Sequence, residues 1–210
     1  MSSTQRGRIL RPPSGGAFRF DAGAVCLDFA HTGGEGELAV FETLHTPADL
    51  AAWLAEPPLS VPRDLRVGDG DLATTRRVRT AIWRAAEAQA NGRPLPDEVR
   101  ETLNAAAARP PLVPRLGGDG CRSWAAPVTI DQVLSTLARE MIDLLSGPLA
   151  ARLRECAADD CRIVFADTSR PGTRRWCSME RCGNRHKIRA HRSRRRDTAG
   201  RLGNDVRYRR

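Results

Sequence analysis

The chain has 210 residues, enough for one ordinary domain or for a medium domain joined to a small module. Apolar residues make up 40% of it and 18 Gly add to them, which excludes wholesale disorder; no run approaches the roughly 20 apolar residues of a membrane helix and no signal-peptide core follows the Arg-bearing start, so the cytoplasm is the expected location. The net charge of +9 is unevenly placed: residues 1–150 carry 16 Arg against 18 acids, whereas 151–210 carry 17 Arg and one Lys against 7 acids.

In chain order, residues 1–16 are polar and aperiodic and read as a flexible tail. A strand is expected at Phe18 to Phe20, followed by a short apolar segment, Val25 to Ala30, that leans towards helix. Thr46 as N-cap and Pro47 at the first helical position open a helix with Leu50, Trp53 and Leu54 on one face, ended by Pro57 and Pro58. After a linker rich in Pro, Gly and Asp, Leu72, Val78, Ile82 and Ala86 predict a helix over 71–90, and Val99 and Leu103 a shorter one over 97–108. Leu112, Val113 and Cys121 to Ala125 flank a Gly-Gly-Asp-Gly turn and suggest a hairpin. Thr129 and Gln132 form a capping box for a last helix stopped by Gly147-Pro148, where the domain boundary falls. Gly33-Gly34-Glu35-Gly36 has neither the spacing nor the Lys-Ser/Thr of a phosphate-binding loop.

Beyond that boundary, Cys156, Cys161, Cys177 and Cys182 read C-x4-C, fifteen residues, C-x4-C. This is pairwise thiolate spacing around a hairpin-sized insert, and in a reducing compartment tetrahedral zinc is the expected occupant. Two local disulfides, an iron–sulfur cluster or inert buried thiols are the alternatives. The segment Arg162 to Ala166 is expected as a strand, Ser169 to Gly172 as the turn and Arg174 to Trp176 as the return strand, with Cys182 opening a helix that runs to about Arg196. Two ligands then come from a knuckle before a hairpin and two from a loop and the helix, the treble-clef plan. Val164, Phe165, Trp176, Met179 and Ile188 give so small a module only a tiny apolar core, so its folding is expected to depend on metal. Arg174, Arg175, Arg181 and Arg185 are candidates to balance the charge of four thiolates. Four protein ligands leave no open position for substrate, so one structural Zn²⁺ is expected and metal-hydrolase chemistry is not.

The run Cys177-Ser-Met-Glu-Arg-Cys182-Gly183-Asn184-Arg185, preceded by Phe165-Ala-Asp167-Thr-Ser169-Arg170 and by Arg174-Arg175-Trp176, closely resembles the CGNR-type zinc finger over about 152–196. Upstream, Cys26-Leu27-Asp28-Phe29-Ala30, Asp49-Leu50 and Trp53-Leu54 look like the ABATE domain that accompanies this finger, a family named for stress-induced transcription regulation. Its members often have Asn followed by Thr where this chain has His31-Thr32. The resemblance implies a DNA-binding regulator.

On the last helix Arg185, Arg189, Arg192 and Arg196 fall at i, i+4, i+7 and i+11, within about 60° of arc, with Lys187, Arg194 and Arg195 beside them. Like charges this dense repel unless an anion lies alongside, so these seven residues are the candidate nucleic-acid contacts. GC-rich coding explains Arg in place of Lys but not the clustering; a solvated basic face is the bland reading. Cys26 and Cys121 read as small buried hydrophobes. His186 and His191 lie about 140° apart around a helix and cannot share a metal. Asp28 and His31 lack a nucleophile and an orienting group, so catalysis is not expected. Trp176 and Phe165 read as core more than as base-stacking platforms.

The expected architecture is α+β. It comprises a flexible tail (1–16), a mainly helical N-terminal domain with a small hairpin (17–147), a treble-clef-like zinc module of β-hairpin and helix (151–196) and a basic tail (197–210). The expected function is zinc-dependent DNA-binding transcriptional regulation, with a small-molecule effector or protein partner at the N-terminal domain and no membrane. The alternative is a protein-interaction or RNA-associated module whose basic helix docks on an acidic partner.

Overall fold

The structure is a computed structural model and describes residues 7–11, 16–34 and 36–189. It opens with an antiparallel pair, β1 (Arg8–Leu10) and β2 (Phe18–Phe20), in register Arg8 to Phe20 and Leu10 to Phe18. Strand β1 corrects the reading of 1–16 as a loose tail. It is fixed from outside, because the Arg8 guanidinium bonds the Glu56 carboxylate at 2.9 Å and stacks 3.8 Å over Trp53, and no local pattern reports such partners. Next comes α1 (Val25–Ala30), with Cys26, Leu27, Phe29 and Ala30 all buried, and a 3-10 turn at Gly36–Phe41.

Helix α2 (Pro47–Ala55) is held by a capping box: Thr46 Oγ1 accepts from Asp49 N at 3.2 Å and the Asp49 carboxylate accepts from Thr46 N at 2.7 Å. Helix α3 (Asp69–Ala90) starts ahead of the expected Asp71, since the Asp71 carboxylate reaches back to Gly68 N at 2.9 Å. Helix α4 (Asp97–Ala107) packs on it, and β3 (Pro114–Leu116) and β4 (Arg122–Trp124) make the expected hairpin. Cys121 is exposed at that turn, not buried as expected, because the Gly-rich tip projects from the core. Helix α5 (Ile130–Ser146) carries the expected Thr129–Gln132 box and buries Val133, Leu137, Met141 and Leu144 at helical spacing against α1, α3 and α4.

In the C-terminal module β5 (Leu153–Glu155) pairs antiparallel with β6 (Val164–Ala166), Leu153 opposite Ala166 and Glu155 opposite Val164. The expected partner, 174–176, makes no ladder. Its groups are spent elsewhere: Arg174 N donates to the Asp167 carboxylate at 2.8 Å, and the Trp176 and Cys177 carbonyls accept from the Arg174 guanidinium at 3.0 and 2.5 Å. Helical winding begins at Met179, ahead of Cys182, with a wide turn over Met179–Gly183 that continues as α-helix through 184–189. The architecture is therefore α+β, mainly helical in its N-terminal part and closed by a small hairpin-and-helix module.

The two parts share one core. Leu153, Ile163, Val164 and Phe165 are buried in the same cluster as Phe20, Leu27, Phe29 and Ile82. Met179 and Ile188, expected in a core of the module's own, are instead 54% and 52% exposed. The seam is also polar: Ala166 N donates to Ala22 O at 2.8 Å, His31 Nε2 meets Val164 O at 2.7 Å, and Arg174 Nη1 donates to Asp21 O at 2.9 Å. Among the described residues no helix is long and apolar enough to cross a membrane.

Candidate metal centre

Cys156 and Cys161 stand in the loop that joins β5 to β6, where Cys156 N donates to Ile163 O at 2.9 Å and so extends the ladder by one pair. Cys177 ends the segment that returns past them, its N–H directed at Cys156 Sγ at 3.4 Å, and Cys182 lies in the wide first turn of the helix. The four side chains are buried, none forms a disulfide, and their sulfurs lie within 4.8 Å of one another. Sulfurs about 2.3 Å from one tetrahedral Zn²⁺ lie about 3.8 Å apart. The Cys161–Cys177 and Cys177–Cys182 separations are 3.8 and 3.5 Å, so the donor set fits zinc in both chemistry and size.

Packed against one another the thiols divide: Cys177 is pushed far up by hydrogen bonds with Cys156, Cys161 and Cys182, whereas Cys182 is pulled down by Cys156, Cys161 and Cys177 and by Arg185. A divalent ion removes that conflict by letting all four bind as thiolates. With every coordination position taken by protein, the bound ion supplies folding energy.

The arginines around the site have distinct tasks. Among the described arginines Arg185 is the one that reaches a sulfur, Nη2 donating to Cys182 Sγ at 3.2 Å while Nη1 bonds Asp160 at 2.9 Å. Arg174 serves the ligand loop through its carbonyls and stacks 4.1 Å over Phe165. Arg181 lies over Phe18 and Phe41, and Arg175 over Trp176. Burial opposes ionisation of Asp167, but Ser169 and Arg174 N–H donors hold it below the ordinary range, and it pins the turn between the two ligand pairs.

A family model described as "Putative stress-induced transcription regulator", the ABATE domain, matches residues 23–148, and one described as "CGNR zinc finger" matches residues 152–195. The chain belongs to the ABATE family. A comparison with curated proteins finds no match. The ABATE domain and the CGNR finger account for the two parts of the fold, and Cys156, Cys161, Cys177 and Cys182 form the finger's zinc site.

Of the seven expected nucleic-acid contacts, Arg185 is turned towards the metal site and Arg189 shares Asp160 with it at 3.3 Å, while Lys187 is exposed. Arg192, Arg194, Arg195 and Arg196 lie outside the described residues. His186 stacks on Trp176 at 4.7 Å, and Asn184 Nδ2 donates to Glu180 O at 3.3 Å, tying the wide turn. Asp28 and His31 make no acid–base pair: Asp28 Oδ1 accepts from Ala22 N and His31 bonds Val164 O. Sequence reasoning missed Asp160, and it missed His31 as a link between ABATE domain and finger. The Asp160 signal was an acid inside the first knuckle facing a basic helix; His31 had none, its partner being 133 residues away.

Proposed function

We propose that this ABATE-family regulator is a zinc-dependent DNA-binding protein whose finger helix engages duplex DNA. The observation that supports this reading most is the disposition of charge. A closed four-cysteine site anchors a short helix whose outer residues His186, Lys187, Ile188 and Arg189 are exposed, and that helix leads into Arg192, Arg194, Arg195 and Arg196 in sequence. Lys187 and the Arg residues supply phosphate contacts, which position the protein, and duplex is favoured over single strands because Trp176 is already covered by His186 and Arg175. Arg185 belongs to the scaffold in this reading and not to the contact surface. Such a regulator acts in the cytoplasm, and the ABATE domain takes the effector or partner.

The test is fluorescence anisotropy of the zinc-loaded chain on random duplex DNA across a salt series. Binding should weaken steeply with salt, and K187Q/R189Q should flatten the slope by about 1.8, since each lost phosphate contact removes about 0.9. Absence of binding at low salt overturns the DNA reading and leaves the basic helix as a docking face for an acidic protein.

A further inference from the structure

A recess lies away from the zinc site, between α3, α4 and residues Gly34 and Glu42, with a cavity volume of about 730 Å³. That is within the roughly 300–1,000 Å³ of small-molecule sites. Its long wall is one face of α3. Arg77, Thr80 and Arg84 are spaced i, i+3 and i+7 and line up along the helix, and Thr102 faces them from α4.

These arginines differ from the structural ones nearby. Arg76 spends its guanidinium on the Leu44 carbonyl at 2.6 Å, and Arg79, only 2% exposed, grips Glu42 through both terminal nitrogens at 2.8 and 2.5 Å. Arg77 has no hydrogen bond or ion pair among the described residues, and Arg84 has only a 3.9 Å approach to Glu98, both being exposed. Arg79 also leaves its Nε buried with no acceptor among the described residues, and it lines the same recess. Two exposed guanidinium forks, the Thr80 hydroxyl and the orphaned Arg79 Nε thus line one concavity, while the Thr102 hydroxyl beside them is already bonded to Glu98 O at 2.9 Å.

We propose that this recess binds a small oxyanion, a compound carrying carboxylate or phosphate groups, as the ligand of the ABATE domain. Planar guanidinium forks match such groups in bidentate fashion. A compact anion suits the site better than a nucleic-acid strand, because Asp97, Glu98 and Glu101 on α4 repel a polyanion extending outwards; of the acids in the recess wall, Glu42 is held by Arg79 and Glu98 lies 3.9 Å from Arg84, which leaves the Arg77 and Thr80 side for a small anion. The segment between Gly34 and Glu42 carries Phe41, over whose ring the finger's Arg181 lies at 5.6 Å, so the recess adjoins the finger without belonging to it. The inference does not depend on DNA binding.

The test is isothermal titration calorimetry of the full-length zinc-loaded protein with inorganic phosphate, pyrophosphate and citrate at constant ionic strength. At least one should bind saturably. R77Q/R84Q should weaken it by about tenfold or more with an unchanged circular-dichroism spectrum, and K187Q/R189Q should leave it unaltered. No saturable binding of any of the three, or equal binding to R77Q/R84Q, overturns the proposal. So does loss of duplex DNA affinity in R77Q/R84Q without small-anion binding, which makes the recess part of a polyanion track.

Discussion

Asp28 on α1 and His31 at its C-terminal cap lie three residues apart, and burial drives their protonation in opposite directions. Burial pushes His31 down to about 4 from the ordinary 6.5, against the pull of the Val164 carbonyl, and pushes Asp28 up to about 7, against the Ala22 N–H and Arg8. Between pH 4 and 6.5 the unfolded chain binds the His31 proton and the folded chain does not, so that group makes stability fall on acidification. Over nearly the same window the folded chain binds the Asp28 proton and the unfolded chain does not, so that group makes stability fall as pH rises. Each slope is at most about 1.4 kcal/mol per pH unit, and they offset each other. Relative to the wild type, His31→Asn should therefore make urea-measured stability fall more as pH rises from 5.5 to 6.5, and Asp28→Asn should make it rise more. The zinc site is common to all three proteins, so the differences isolate these groups; parallel curves would refute the assignment. Arg185 makes a second residue-scale case. Its contacts with Cys182 Sγ and Asp160 predict that Arg185→Gln weakens zinc binding about 10–100-fold, read by competition with a chromogenic chelator. A variant that holds zinc as tightly as wild type would return Arg185 to the pool of DNA contacts.

At the scale of elements, the corner between β2 and α1 lies against β6 with no room for a side chain. Gly23 has φ of +83°, and a Cβ there would stand 2.5 Å from Ala166 O, beside the Ala166 N to Ala22 O bond that joins ABATE domain and finger. Gly23→Ala should cost about 1–3 kcal/mol. Gly70, in the first turn of α3 with open space around it, makes the control: Gly70→Ala should stabilise by about 0.5–1 kcal/mol, so denaturant midpoints should move in opposite directions. The helices were legible because their signals are local, the Thr46 and Thr129 caps and the spacing of Val133, Leu137 and Met141 all lying within one segment. The four cysteine ligands were legible for the same reason. Three-residue strands carry no such signal: β1 is fixed by Arg8 on Trp53 and Glu56, and β5 wins β6 because Asp167 and the Arg174 guanidinium occupy the rival segment. The arginine recess was illegible because a helical Arg reads as a solvated face until its neighbours are placed.

At the scale of the molecule, zinc holds more than the finger. The ion would fix the loop that joins β5 to β6, and that hairpin delivers Ile163, Val164 and Phe165 into the core occupied by Leu27, Phe29 and Ile82. The sequence suggested a module with a tiny core of its own; a core shared with the helical domain predicts that loss of zinc is felt in that domain as well. Once the ligands separate, the hairpin loses its constraint and Phe165, fully buried, has nothing to hold it in place. Withdrawing one such aromatic costs about 3–5 kcal/mol, and in a chain of this length about 3 kcal/mol lowers the unfolding midpoint by roughly 6–12 °C. Calorimetry of the zinc-loaded chain should show one transition, and chelation should lower the midpoint of the helical unfolding followed at 222 nm by at least that amount. Cys177→Ser, which removes a ligand without adding chelator, should reproduce the shift. A helical transition unmoved by chelation would mean that the seam at Ala22, His31 and Asp21 carries no stability and that the ABATE domain folds without its finger.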